Sequence, residues 1–192
     1  MRSSLGLLCV AVAAACVPAG RTSPAGAVDR DEAAVYAVVI DSVLASAEAP
    51  FVVMAESTVV LMVTRDWLEA YVRPLDPAFP ESPLADFEAR NRAPVAIPPR
   101  LSTRTPVRRL RLGTFNPSGG SHDEAYAKLR TEHAPAIHLY SLSRPGFDPE
   151  RRHAVITTAA GCGGLCGEGQ VVLLERGPGG WRVTARVTTW ES

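Results

Sequence analysis

Four β-like runs crowd the C-terminal part of the chain, and the connectors between them are too short for parallel neighbours. The runs are Ala136 to Ser143, Arg152 to Ala160, Gln170 to Arg176 and Trp181 to Trp190. A parallel pairing needs a crossover of a dozen or more residues. Gly177-Pro178-Gly179-Gly180 supplies only a tight turn, so the third and fourth runs form a hairpin. In the last run Trp181, Val183, Ala185 and Val187 alternate with Arg182, Thr184, Arg186 and Thr188. That period of two predicts one buried and one wet face. The expected unit is an antiparallel β-meander of about four strands.

Upstream the periodicity is helical. Val35, Val39 and Val43 recur at i, i+4 and i+8, flanked by Tyr36, Ile40 and Leu44, with Asp31 as the expected cap. Such a wide apolar stripe suits a helix laid on a sheet. Phe51 to Ala55 then reads as a short buried strand that Ser57 to Val63 continues after a turn or bulge. Thr64 is placed to cap a short helix carrying Trp67 and Tyr71. Between Pro74 and Pro117 nine prolines break the pattern, and extended or irregular chain is expected. Within it, Ser82-Pro83 is a helix start with Leu84 and Phe87 facing inward, and Val107 to Leu112 alternates like a strand. Ser121-His122-Asp123-Glu124 reads as a capping box opening another short helix. The sum is an α+β fold: a C-terminal meander, an N-terminal helix packed on it and a Pro-rich irregular middle, in one domain over 31–192.

The N-terminus predicts export. Met1-Arg2 is a positive start, and Leu5 to Ala15 is an apolar run too short for a mature membrane helix. It closes in Val12-Ala13-Ala14-Ala15-Cys16, small residues before a cysteine as in a bacterial lipoprotein signal, although Ala13 stands where a bulkier aliphatic is usual. On that preferred reading 1–16 is the signal, Cys16 is lipidated and 17–30 is a flexible tether. Cleavage after Ala25-Gly26-Ala27 is the alternative. Membrane contact is then expected only through a lipid on Cys16. Formal net charge is zero and the nineteen arginines are scattered, so no nucleic-acid footprint is expected.

The stretch Gly161-Cys162-Gly163-Gly164-Leu165-Cys166-Gly167-Glu168-Gly169 connects the second and third runs. In an exported chain a thiol pair set apart from the signal region is expected to be oxidised, stapling a Gly-rich loop. A redox-active pair is the sharper alternative, but it usually has two intervening residues at a helix N-terminus, not three between strands. Zinc needs further ligands: His153 opens the preceding run and His122, His133 and His138 are distant in sequence, without the paired spacings of structural zinc sites. No metal or cofactor is expected. Ser121-His122-Asp123 is explained as a cap, since triad members must converge in space. There is no Gly-x-Ser-x-Gly elbow, P-loop or dinucleotide fingerprint. Glu168 and Asp148 read as solvated loop carboxylates, Trp181 as core, and Trp190 as the candidate surface contact.

Ser143-Arg144-Pro145-Gly146-Phe147, a β-run, Cys162-Gly163-Gly164-Leu165-Cys166-Gly167-Glu168-Gly169, then Gly180-Trp181-Arg182-Val183 and Trp190 resemble a family of uncharacterised bacterial exported proteins. Its members carry a Cys-Gly-x-Leu-Cys-Gly-x-Gly loop followed by a Gly-x-Trp-Lys-Val strand. Phe87 to Asn91 is similar to a short Phe-x-x-x-Asn helix of that family. The likeness covers about the last fifty residues. Ala154-Val155-Ile156-Thr157-Thr158 departs from the family's more aliphatic-aromatic strand. The resemblance implies fold and export and carries over no catalytic residue.

These readings together predict a non-enzymatic envelope domain that presents its stapled loop, residues 161–169 with Trp190, to an envelope protein or small ligand. The alternative is an envelope enzyme. As a thiol oxidoreductase it would use the cysteine pair; as a wall-directed hydrolase it would need Glu168 or Asp148 to meet His153 or Ser143.

Overall fold

The structure, a computed structural model, describes residues 28–46, 49–60, 63–111, 122–164 and 166–192. Helix α1 (Arg30–Val39) continues into a π-helical turn, Ile40–Leu44. Strand β1 (Val52–Ala55), helices α2 (Arg65–Leu75) and α3 (Ser82–Arg90), strand β2 (Val107–Leu110) and helix α4 (His122–Glu132) follow. Five strands complete the chain: β3 (Leu139–Leu142), β4 (Gly146–Phe147), β5 (His153–Gly163), β6 (Cys166–Gly177) and β7 (Gly180–Glu191).

All seven strands join one mixed sheet in the order β2-β1-β3-β5-β6-β7, with β4 pairing on β5 beyond the end of β3. The expected antiparallel meander is β3-β5-β6-β7. Strand β1 runs parallel to both β2 and β3, an extension the local pattern did not announce. Parallel pairing becomes available because helices and long excursions link these strands.

Helices cover both faces. On one, α1 and the π-helical turn after it lay Val35, Tyr36, Val39 and Ile40 on Met54, Ile156, Val172, Leu174 and Trp181. On the other, α2 and α3 bring Leu68, Val72, Leu84 and Phe87 to Val155, Val171 and Leu173. Beside them Leu129 of α4 packs with Phe51, Val53 and Leu139. Strand β1 is buried along its whole length because both faces are covered.

Several local expectations shift. Helix α1 is capped by Asp29, not Asp31: the Asp29 carboxylate accepts the Glu32 N–H and Glu32 accepts the Asp29 N–H, both at 2.9 Å. Since Val28 also packs on the core, residues 28–30 belong to the domain and not to the tether. Thr64 caps α2 through the Trp67 N–H, as expected. The predicted continuation from Ser57 is no strand among its described residues; Ser57 makes a single bridge to Ala96. Ser121 lies outside the described residues, and α4 begins at His122.

Strand β7 holds the clearest correction. Trp181 and Val183 face the α1 layer, whereas Ala185 and Val187 face α2 and α3. Register moves from Leu174↔Val183 to Leu173↔Ala185, so Thr184 is an extra residue that turns the strand over. A second shift at Thr189 sets Trp190 opposite Gly169.

A buried ion network ties α1 and α3 to the segment between β3 and β4. Glu32 is fully buried and receives Arg144 through Nε at 2.8 Å and Nη2 at 3.0 Å. Arg90 reaches the same carboxylate at 3.0 Å, and Arg151 binds Asp29 at 2.8 Å while lying over the Phe147 ring. Its bond to Glu32 holds Arg144 still more firmly protonated against the opposing effect of burial. Asn91 closes the joint, giving its amide to the Phe87 and Arg144 carbonyls and accepting the Arg144 N–H.

Candidate functional site

The nine residues from Gly161 to Gly169 do not form a loop. Gly161, Cys162 and Gly163 end β5, Cys166 to Gly169 begin β6, and Gly163 pairs with Cys166. Only residues 164 and 165 separate the strands, and Leu165 lies outside the described residues. Cys162 and Cys166 form a disulfide across this hairpin tip, with Cα atoms 5.2 Å apart. Cys162 is buried and Cys166 exposed.

The glycines serve close approach as well as turning. A side chain at Gly161 would run into the Tyr126 hydroxyl, and one at Gly169 into the Trp190 indole. Helix α4 thereby comes down onto the tip: Arg130 donates to the Cys162 carbonyl at 2.9 Å and Asp123 accepts the Gly164 N–H at 3.1 Å. Burial raises the Tyr126 phenol above its usual range. Trp190 is 46% exposed and packs over Gly167 and Gly169 on the same side of the sheet as α4.

The opposite side of the tip holds a pocket of about 280 Å³, lined by His138, both cysteines, Glu168 and Glu191. The sheet explains the convergence. Register pairs Leu139 with Gly161, which brings His138 beside Cys162 one step further along. Register also pairs Glu168 with Glu191, so two acidic residues on neighbouring strands share the pocket. Burial and the Glu168 charge both push the Tyr140 phenol upward. A ring nitrogen of His138 and the two sulfurs lie within 4.8 Å of one another. The histidine of the site is therefore His138. His153, suggested by its place in the chain, is not in the group, and neither is His133.

Other predicted partners separate. Asp148 does meet His153, at 3.1 Å, but the same carboxylate accepts the backbone N–H groups of Arg152 and His153. Burial opposes ionisation there, yet these hydrogen bonds prevail and hold Asp148 below the usual carboxylate range. It is a turn anchor, buried where a solvated carboxylate was expected. Ser143 is fully buried, its hydroxyl oxygen accepting the Thr157 N–H at 2.9 Å. Glu168 lies at the tip, where it accepts the Gln170 amide. Trp181 is core, beside Phe147. Cys16 lies outside the described residues, among which no helix is long and apolar enough to cross a membrane.

Sequence reasoning missed Arg130 and Glu191 altogether, read Asp123 only as part of a helix cap and passed over His138 as distant. The available signal was the spacing of His138 from the third-last strand: once β3 and β5 pair, it must fall near Cys162. Comparison with protein-family models, curated proteins and solved structures finds no match.

Proposed function

We propose that this chain is an exported envelope protein, anchored by a lipid on Cys16, that binds a partner or small ligand with its stapled hairpin tip. The observation that carries the reading is a pocket next to a disulfide held in place by α4. Disulfides of this kind persist in oxidising compartments, which agrees with the export signal read at the N-terminus. Closing so short a ring contributes about 2 kcal/mol by chain entropy, so its larger effect is on the shape of the tip. Intact-mass measurement of the mature protein tests the anchor: diacylglyceryl mass on Cys16 is expected, and an unmodified chain starting near residue 28 rejects it. Immobilised protein should retain the same envelope component from extract that Glu168→Gln or Trp190→Ala releases. Equal retention by wild type and both variants rejects the tip as the binding surface.

Thiol–disulfide exchange is the second reading, favoured by the exposed Cys166 sulfur next to His138. It predicts catalytic reduction or oxidation of a test disulfide, lost in Cys166→Ser. Of the contacts the hydrolase reading needs, Asp148 to His153 is made at 3.1 Å, but that carboxylate also anchors the turn through the Arg152 and His153 N–H groups, and the buried Ser143 hydroxyl is engaged with Thr157.

A further inference from the structure

The geometry points to a second state of the tip: with the disulfide reduced, Cys162, Cys166 and His138 form a zinc site that Glu168 or Glu191 completes. This inference needs only the pocket and stands apart from the binding role proposed above.

Three donors of the right chemistry already converge. The two sulfurs and an imidazole nitrogen lie within 4.8 Å of one another. With Zn–S bonds of about 2.3 Å, two thiolates on one tetrahedral ion sit about 3.8 Å apart. Cysteine Cα atoms 5.2 Å apart at a hairpin tip allow that spread by side-chain rotation, without unpairing β5 from β6. Thiolate and imidazole ligands together favour zinc over the hard, oxygen-seeking cations.

The fourth ligand comes from an independent observation. Glu168 and Glu191 are register partners, and both line the pocket. Like charges directly opposite on neighbouring strands are destabilising. A cation between them and the thiolates removes that repulsion. Sheet register thus supplies an acidic pair lining the same pocket as Cys162, Cys166 and His138, from which side-chain rotation can bring one carboxylate to the ion.

The two states exchange by a balanced step. A dithiol reductant gives two electrons to the Cys162–Cys166 bond, which breaks to two thiols as the reductant closes its own disulfide. Zinc then displaces two thiol protons to solvent and binds both sulfurs. In the oxidised form the sulfurs bond to each other and the ion loses its thiolates.

The test uses the full chain, reduced with a phosphine and freed of excess reductant without air, and titrated with Co²⁺ and then Zn²⁺. Reduced protein should take up one ion per chain, with a thiolate-to-cobalt charge-transfer band and tetrahedral visible bands that zinc bleaches. Oxidised protein should show neither. His138→Ala should weaken zinc by on the order of tenfold or more, and Cys166→Ser should abolish the charge-transfer signature of a dithiolate site. Circular dichroism of the reduced apo-protein checks that the fold persists. Absence of the band in folded reduced protein overturns the inference, as does equal binding by the oxidised form or unweakened binding by His138→Ala.

Discussion

Replacing Glu32 by glutamine should destabilise the domain more than any surface change. The side chain keeps its size, but the charge facing Arg144 and Arg90 disappears. Glu32 is wholly buried, and the Arg144 and Arg90 side chains are only 11% and 14% exposed. Arg90 keeps Asp86 at 3.6 Å, Asp29 at 3.8 Å and the Pro145 carbonyl. Arg144 loses the carboxylate that binds it at two points. Stranding one partner of a buried pair costs about 3–5 kcal/mol. The remaining partners of Arg90 and the hydrogen-bonding capacity of glutamine place this case near 3 kcal/mol. That is a large share of the roughly 5–15 kcal/mol that holds a domain folded. At about 2–4 °C per kcal/mol for a chain of this size, Tm should fall by about 6–12 °C. Urea unfolding followed by far-ultraviolet circular dichroism gives the free energy directly. Removing both charges, in Glu32→Leu with Arg144→Met, should recover most of the loss, since the pair also sheds its desolvation cost. A single variant within about 1 kcal/mol of wild type, or a double variant as poor as the sum of its parts, would falsify the view that this joint is an electrostatically coupled unit.

Three further outcomes are expected. Gly146→Ala places a methyl group against the Pro83 carbonyl and the Phe87 backbone, so α3 must move off the sheet; a loss of about 3 kcal/mol in urea unfolding is expected, and an unchanged midpoint refutes the close approach. The Tyr36 hydroxyl is buried with no hydrogen-bond partner among the described residues, and Tyr36→Phe should stabilise by about 1 kcal/mol; destabilisation would show that the hydroxyl is bonded. Burial opposes ionisation of Asp29, Asp41 and Asp148, but hydrogen bonds from the Glu32 N–H and Arg151, the Arg104 and Thr105 N–H groups, and His153 and Arg152 lower all three below the ordinary 3.8. In acid the unfolded chain then binds more protons than the folded one, so stability is full above about pH 4 and falls as pH drops through the folded values. Urea midpoints measured between about pH 5 and pH 3 should decline, less steeply in Asp148→Asn; a flat profile contradicts the assignment.

Local order was readable wherever neighbours along the chain decide it. The α1 stripe, the Thr64 cap, the Ser82-Pro83 start, the β1 run and the β6–β7 hairpin follow from spacing, hydrogen-bonding side chains and turn residues within a few positions of one another. The face of β7 was misread for a physical reason. Alternation of Trp181, Val183, Ala185 and Val187 assumes an unbroken pleat, and one unpaired residue at Thr184 reverses it with no mark in composition. The buried carboxylate escaped notice because Glu32 resembles any first-turn acid until Arg144 arrives from 112 positions away.

What the amino-acid order determined by itself was most of the helices and strands, the antiparallel hairpins and the chemistry of the thiol pair, because each depends on short-range spacing; the short β4 and the lack of a strand among the described residues from Ser57 did not follow from it. Tertiary structure alone decided that β1 sits parallel between β2 and β3, that Glu32, Arg90 and Arg144 share one buried joint, and that His138 and Glu191 flank the disulfide. Those outcomes depend on sheet register and packing, which bring together residues whose separation along the chain carries no record of their distance in space.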